Sequence, residues 1–184
     1  INEAQTILKK KFIDSAQLDC ELLMSKVINK DRKYNILNTD KDLKLSLYNR
    51  FKELVKQRSK GKPIAYLVGK KDFWKYQFLI KEDVLIPRPD TEIIINEVLK
   101  ITKYKSKLKI LDIGVGSGCI LLSILKEKKD FYGTGIDISK KCTEITKLNA
   151  LNLEIVDRVK IFKSDVDNFN YGKYDLIISN PPYI

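Results

Sequence analysis

Apolar positions recur every three or four residues through the first sixty residues, and that spacing predicts amphipathic helices. Ile7, Leu8 and Phe12 share one face of a first short helix. Asp14 or Ser15 can cap a second, with Leu18, Leu22 and Val27 along its apolar side. The polar stretch Lys30–Tyr34 breaks the pattern. Asp40 can cap a third helix in which Leu43, Leu47, Phe51, Leu54 and Val55 recur, and Gly61-Lys62-Pro63 ends it. Three such helices make a small bundle with these stripes as its core.

The pattern then changes. Phe73, Trp74, Tyr76, Phe78, Ile80, Val84 and Ile86 are dense in aromatic and β-branched types with partial alternation, which predicts a β-hairpin joining two domains. Pro87-Arg88-Pro89 punctuates the chain. Asp90 or Thr91 can cap a helix running through Ile93, Ile94, Val98 and Leu99. From residue 108 on, strands and helices alternate. Strands are expected at Leu108–Ile113, Phe131–Ile138, Val159–Phe162 and Tyr174–Ser179, with helices at Ile120–Leu125 and around Cys142–Leu151. This order predicts an α/β chain with a doubly wound parallel sheet. The expected domains are a helical bundle over residues 1–62, a hairpin linker over 63–86 and an α/β domain over 87–184.

Composition narrows the chemistry. The chain has 184 residues, 43% hydrophobic, with 8 Gly and 5 Pro, and so reads as a folded globular protein. No apolar run approaches the roughly 20 residues that span a bilayer, and no signal-peptide pattern opens the chain. It has no histidine, which excludes Ser-His and Cys-His catalysis and histidine metal sites. Cys20, Cys119 and Cys142 are odd in number, far apart and in no CxxC spacing, so neither a zinc site nor a disulfide framework is expected. A cytoplasmic, reducing compartment fits. The net charge of +11 has two readings. One is a nucleic-acid surface. The other is codon bias, since Lys outnumbers Arg 30 to 5 and Arg is the better phosphate reader. Direct nucleic-acid binding is not expected.

Three motifs carry chemistry. The first is Leu111-Asp112-Ile113-Gly114-Val115-Gly116-Ser117-Gly118, where glycines end a strand and open a helix. Gly114 and Gly116 let the backbone turn tightly beside a ligand, and the helix N-terminus offers free N–H groups. The second is Gly135-Ile136-Asp137, about 20 residues further on. Asp137 can accept both ribose hydroxyls of an adenosine cofactor, or serve as a plain helix cap. A nicotinamide fingerprint would place its third glycine at position 119, which is Cys119. The Gly114-x-Gly116-x-Gly118 spacing therefore favours S-adenosylmethionine. Asp165, followed by Val166, can meet an adenine amino group, or can be a solvated loop residue. The third motif, Asn180-Pro181-Pro182-Tyr183, follows the fourth strand directly. The Asn180 side chain and the Pro181 carbonyl can grip a planar NH₂ group while Tyr183 stacks on it. Such a site suits methylation of an amide or exocyclic amine, a displacement in which positioning supplies most of the catalysis.

These residues resemble the HemK/PrmC family of protein-(glutamine-N5) methyltransferases, which modify peptide-chain release factors. The resemblance runs through essentially the whole chain. Ala16–Leu23 looks like the family's second N-terminal helix. Arg58-x-x-Gly61-x-Pro63-x-x-Tyr66-x-x-Gly69, with Phe73-Trp74, looks like its interdomain hairpin. Val84-Leu85-Ile86-Pro87-Arg88-Pro89-Asp90-Thr91-Glu92 is close to its VLIPRPETE signature. The resemblance implies a Rossmann-like methyltransferase domain. In it Gly114, Val115, Gly116, Ser117 and Gly118 wrap the donor's methionine and ribose, and Asp137 binds the ribose. Asp165 and Val166 sit at the adenine. Asn180, Pro181, Pro182 and Tyr183 form the substrate pocket, with Asn180, Pro181 and Tyr183 catalytic and Asn180 also touching the donor. It further implies a release factor's Gly-Gly-Gln loop as substrate, docked with help from the N-terminal bundle. A monomer is expected. Val166 stands where some members have an aromatic residue, which weakens adenine stacking. Asp90 replaces the commoner Glu.

The family's sheet has seven strands, and four are legible here. The expectation is therefore a fragment of a longer protein, not competent in catalysis by itself, with the fourth strand left at an open edge. Asn-Pro-Pro-Tyr is shared with adenine-N6 DNA methyltransferases and other amino methyltransferases, so a DNA or RNA amino methyltransferase is the alternative.

Overall fold

The computed structural model describes residues 1–38 and 41–181. The chain divides into two compact units, Ile1–Gly69 and Lys70–Ile184.

The first unit is helical: α1 (Asn2–Lys9), α2 (Ala16–Ile28), α3 (Arg32–Leu37), α4 (Leu45–Ser59) and α5 (Ile64–Val68). Its core joins Leu8 of α1, Ala16, Cys20, Leu23 and Val27 of α2, Phe51 and Val55 of α4, and Leu67 of α5. The α2 stripe follows helical spacing but is rotated from the expected one, and Leu18 is exposed. Phe12 lies beyond α1 in a turn with φ 57° and is almost fully exposed. The rotated α2 face also buries Asp19, whose Oδ2 accepts from Arg58 Nε at 2.6 Å. Arg58 lies in α4, within the helical region expected over residues 1–62, whereas Tyr66, expected in the hairpin linker, lies in α5.

The stretch expected to break the pattern instead starts α3. Asp31 caps it, its Oδ1 accepting the Tyr34 N–H at 2.8 Å. Buried Asn35 fastens it to α2 by donating to the Glu21 carbonyl (3.1 Å) and to Ser25 Oγ (2.7 Å). The expected cap Asp40 lies outside the described residues, and α4 begins after Lys44.

The second unit opens with the antiparallel hairpin β1 (Lys70–Phe73) and β2 (Tyr76–Leu79). This hairpin is narrower than expected, because Pro63 and a left-handed Gly69 bracket residues 64–68 as helix. Trp74, with φ 57°, and Lys75 form its two-residue loop. Asn149 pins its end, accepting from the Leu79 N–H (2.7 Å) and donating to the Leu79 carbonyl (3.1 Å).

Then come α6 (Glu92–Ile101), β3 (Lys109–Ile113), α7 (Cys119–Glu127), β4 (Tyr132–Asp137), α8 (Lys140–Asn152), β5 (Val159–Lys163) and β6 (Leu176–Ser179). The four strands are parallel in the order β5-β4-β3-β6. This is the doubly wound, Rossmann-like arrangement, and its strand order reverses between β3 and β6. Every residue from Cys119 to Leu125 of α7 is buried, as a helix packed into such a fold requires. Among the described residues β6 pairs with β3 alone.

Candidate functional site

Open doubly wound sheets bind ligands outside the carboxyl ends of their strands, at the point where the order reverses. A cavity of about 770 Å³ lies there. Four of the predicted segments line it in the order of the sheet: Asp165 and Val166 after β5, Asp137 at the end of β4, Gly114 to Ser117 after β3, and Asn180 and Pro181 after β6. With strands about 4.8 Å apart, this row spans about 14 Å. Gly118 is placed just behind the lining, as the first turn of α7 begins. Pro182 and Tyr183 lie outside the described residues.

The glycine loop is held at each turn. The Gly114 and Val115 N–H groups both donate to the Ile136 carbonyl at 2.9 Å. The Gly116 N–H donates to Asp137 Oδ2 (3.0 Å), while Asp137 Oδ1 accepts from the Ser139 N–H (2.8 Å). Thr146 Oγ1 donates to the Gly116 carbonyl (2.9 Å), and Asn149 Nδ2 to the Ser117 carbonyl (2.8 Å). Thr146 and Asn149 lie one turn apart on the inner face of α8, and sequence reasoning missed both. Their only signal was polarity on a helix face that the fold must bury.

Two glycines of the loop have different reasons to be glycine. Gly118 has φ +82°, and a Cβ there would stand 2.8 Å from both Leu122 Cδ1 and Thr146 Cγ2. Gly114 has φ +75°, but a Cβ there would meet nothing within 4 Å. The first glycine permits packing; the second faces open room for a ligand.

The remaining predicted residues fit an adenosyl group. A carboxylate has about four acceptor positions, and the two backbone bonds to Asp137 leave the others for ribose hydroxyls. Ile138 and Val166 line the cavity and are 70% and 49% exposed, which leaves an uncovered apolar surface at the β4 and β5 ends. Asp165 Oδ1 accepts the Asp167 N–H at 3.1 Å, so this residue caps a turn as well as facing the cavity.

Beneath the loop, Asp112 is fully buried. Burial pushes its carboxyl up to about 8, against the lowering effect of the Leu121 N–H, and the Asp137 charge adds to the rise. Cys119 lines the cavity, and burial pushes its thiol up to about 12, away from the thiolate form.

The opposite wall was not predicted as lining. Leu85, Ile86, Pro87, Arg88 and Thr91 come from the segment that leads into α6. Asn180 Nδ2 donates to Thr91 Oγ1 in a long bond of 3.4 Å, which puts this segment beside the β6 end of the row. The Pro-Arg-Pro run was visible in sequence, but nothing in its spacing indicated a role.

Known proteins match this layout. Residues 1–69 match the model of the PrmC N-terminal domain, and residues 90–184 that of the methyltransferase small domain. A release factor glutamine methyltransferase of Shewanella oneidensis is 37% identical over 93% of this chain and 59% of its own length. One of Clostridium botulinum is 38% identical over 99% of this chain and 65% of its own length. A bifunctional methyltransferase of Rickettsia felis is 35% identical over all of this chain and 40% of its own length. The chain thus spans less than two thirds of the length of each of these relatives.

Proposed function

The chain belongs to the methyltransferase small domain family, behind a PrmC N-terminal domain, and we propose that it takes S-adenosylmethionine as methyl donor and serves methylation of the side-chain nitrogen of glutamine in a release factor's Gly-Gly-Gln loop. One observation carries this reading: Asn180 and Pro181 line the same cavity as the glycine loop, side by side at the point where strand order reverses. The PrmC N-terminal match and the names of the relatives support the release factor as substrate.

The bound donor supplies an electrophilic methyl group on a sulfonium. The chain's residues supply position. The Asn180 side-chain carbonyl and the Pro181 main-chain carbonyl accept the two N–H bonds of the glutamine amide and aim its nitrogen. Pro181 and Pro182 keep the backbone from turning its own N–H groups into the site. The methylated amide nitrogen is strongly acidic and loses its proton to water, so no histidine is needed. Gly114 to Gly118 and Asp137 hold the donor, with Asp165 and Val166 at its adenine, Tyr183 against the amide, and residues 1–62 docking the protein substrate.

The test uses the full-length protein, radiolabelled S-adenosylmethionine, a release factor, and the same factor with its Gly-Gly-Gln glutamine changed to alanine. Label on the unaltered factor alone, lost on Asn180→Ala, is the expected result. Label on DNA or RNA instead, with none on the factor, would replace the substrate assignment.

A further inference from the structure

The cavity holds a contrast of charge. The chain has 35 basic residues, yet among the described residues that line the cavity Arg88 is the one cation. Two lysines beside the rim have partners of their own: Lys141 is paired with the lining residue Asp83, and Lys140 lies 3.7 Å from Glu144. The Arg88 guanidinium has no ion pair or hydrogen bond among the described residues, although an arginine offers five N–H donors. The other charged lining residues, Asp83, Asp137 and Asp165, are acidic and would repel an anion.

Position decides what such a cation meets. Resting on the donor assignment above, adenine lies at the β5 end of the row and ribose at Asp137. The rest of the donor must then cross β3 toward Asn180, where methyl transfer takes place. Arg88 stands at that far end, three residues before Thr91, whose hydroxyl is bonded to Asn180. The chemistry left to recognise there is an amino acid's zwitterion, whose carboxylate matches the planar guanidinium fork.

We propose that Arg88 is the counter-ion of the donor's α-carboxylate. It sets donor specificity at the amino-acid end, and it binds donor and spent product alike. The test is calorimetric, on the full-length protein without acceptor. The probes are S-adenosylhomocysteine and its decarboxylated analogue, which keeps the adenosine, thioether and amine.

The unaltered protein should prefer the carboxylate-bearing ligand by about ten- to a hundredfold, the range for a hydrogen-bonded charge pair. Arg88→Gln should lose that preference through weaker binding of S-adenosylhomocysteine, with binding of the analogue changed less than about twofold, and Arg88→Lys should keep part of it. A preference that survives Arg88→Gln overturns the proposal and leaves the donor assignment standing. A preference absent from the unaltered protein also overturns it. Failure of the unaltered protein to bind either ligand overturns the donor assignment as well. Arg88 is exposed and its side chain makes no bond among the described residues, and matching thermal unfolding of the variants would show that the fold is kept.

Discussion

The two walls of the cavity are built on opposite plans. The wall of β3, α7 and β4 is made of backbone, with N–H groups and carbonyls taken up by Ile136, Asp137, Thr146 and Asn149. The wall of residues 85–91, with Asn180 and Pro181 beside it, has fewer such ties, and the bond from Asn180 to Thr91 joins its two parts. On the proposed function, a site that holds one donor and receives a second molecule gains from such a division. The first wall is pre-organised, so little ordering is left for a ligand to bring about. The second keeps polar groups available to whatever enters.

If this contrast is right, the largest effects on stability belong to the first wall. Gly118→Val forces a β-branched residue to φ +82° with its Cβ 2.8 Å from two side chains. The left-handed backbone costs about 1–2 kcal/mol and the overpacking about 1–3 kcal/mol, so urea denaturation should show a loss of about 3 kcal/mol or more. Gly114→Ala carries only the backbone cost and should lose about 1 kcal/mol, while its methyl group occupies ligand room and weakens binding of S-adenosylhomocysteine. Equal losses of stability at the two positions would show that the loop is not divided between packing and binding.

The next effect is one of pH. The Asp112 carboxyl is raised from 3.8 to about 8 by burial. The folded chain therefore holds this proton more tightly than the unfolded chain does. The contribution of Asp112 to stability is least unfavourable below about 4, falls as pH rises, and is fully unfavourable above about 8. Asp112→Asn should remove that fall, which is of the order of a few kcal/mol, and so be stabilising at pH 8.5 relative to pH 5. Parallel pH profiles of stability for both proteins would mean that Asp112 is not protonated under the loop.

The same division explains what could be read from sequence. The first wall was legible because its physics is local: a short apolar strand, glycines, then a helix start. Asp137 was legible from its distance beyond the loop. Asn180 and Pro181 were legible as a motif at a strand end, but the segment before α6 standing beside them was not, because Thr91 and Asn180 are 89 residues apart and no local pattern encodes their meeting. The helical unit shows the same limit. The existence of α2 followed from periodicity, but its buried face turned on Asp19 finding Arg58. α3 is six residues long and polar, and it exists because Asp31 caps it and Asn35 is buried against α2. Residues 64–68 are an apolar run that suits strand or helix equally, and Pro63 and Gly69 decide between them.

The smallest effect is the most informative about the second wall. Thr91→Val keeps the shape of Thr91 and removes the hydroxyl that accepts from Asn180 Nδ2. That bond takes one N–H of the amide and, on the proposed function, leaves its carbonyl for the substrate N–H. One neutral hydrogen bond is worth about 0.5–1.5 kcal/mol, so kcat should fall about two- to twelvefold. Donor affinity and urea stability should stay within error, and Thr91→Ser, which keeps the hydroxyl, should restore most of the rate. A purely structural role for Thr91 would lower stability in step with rate, and a donor contact would weaken S-adenosylhomocysteine binding. Only a change confined to kcat, rescued by serine, makes Thr91 a positioning residue, because it acts on the orientation of Asn180 and not on what the cavity holds.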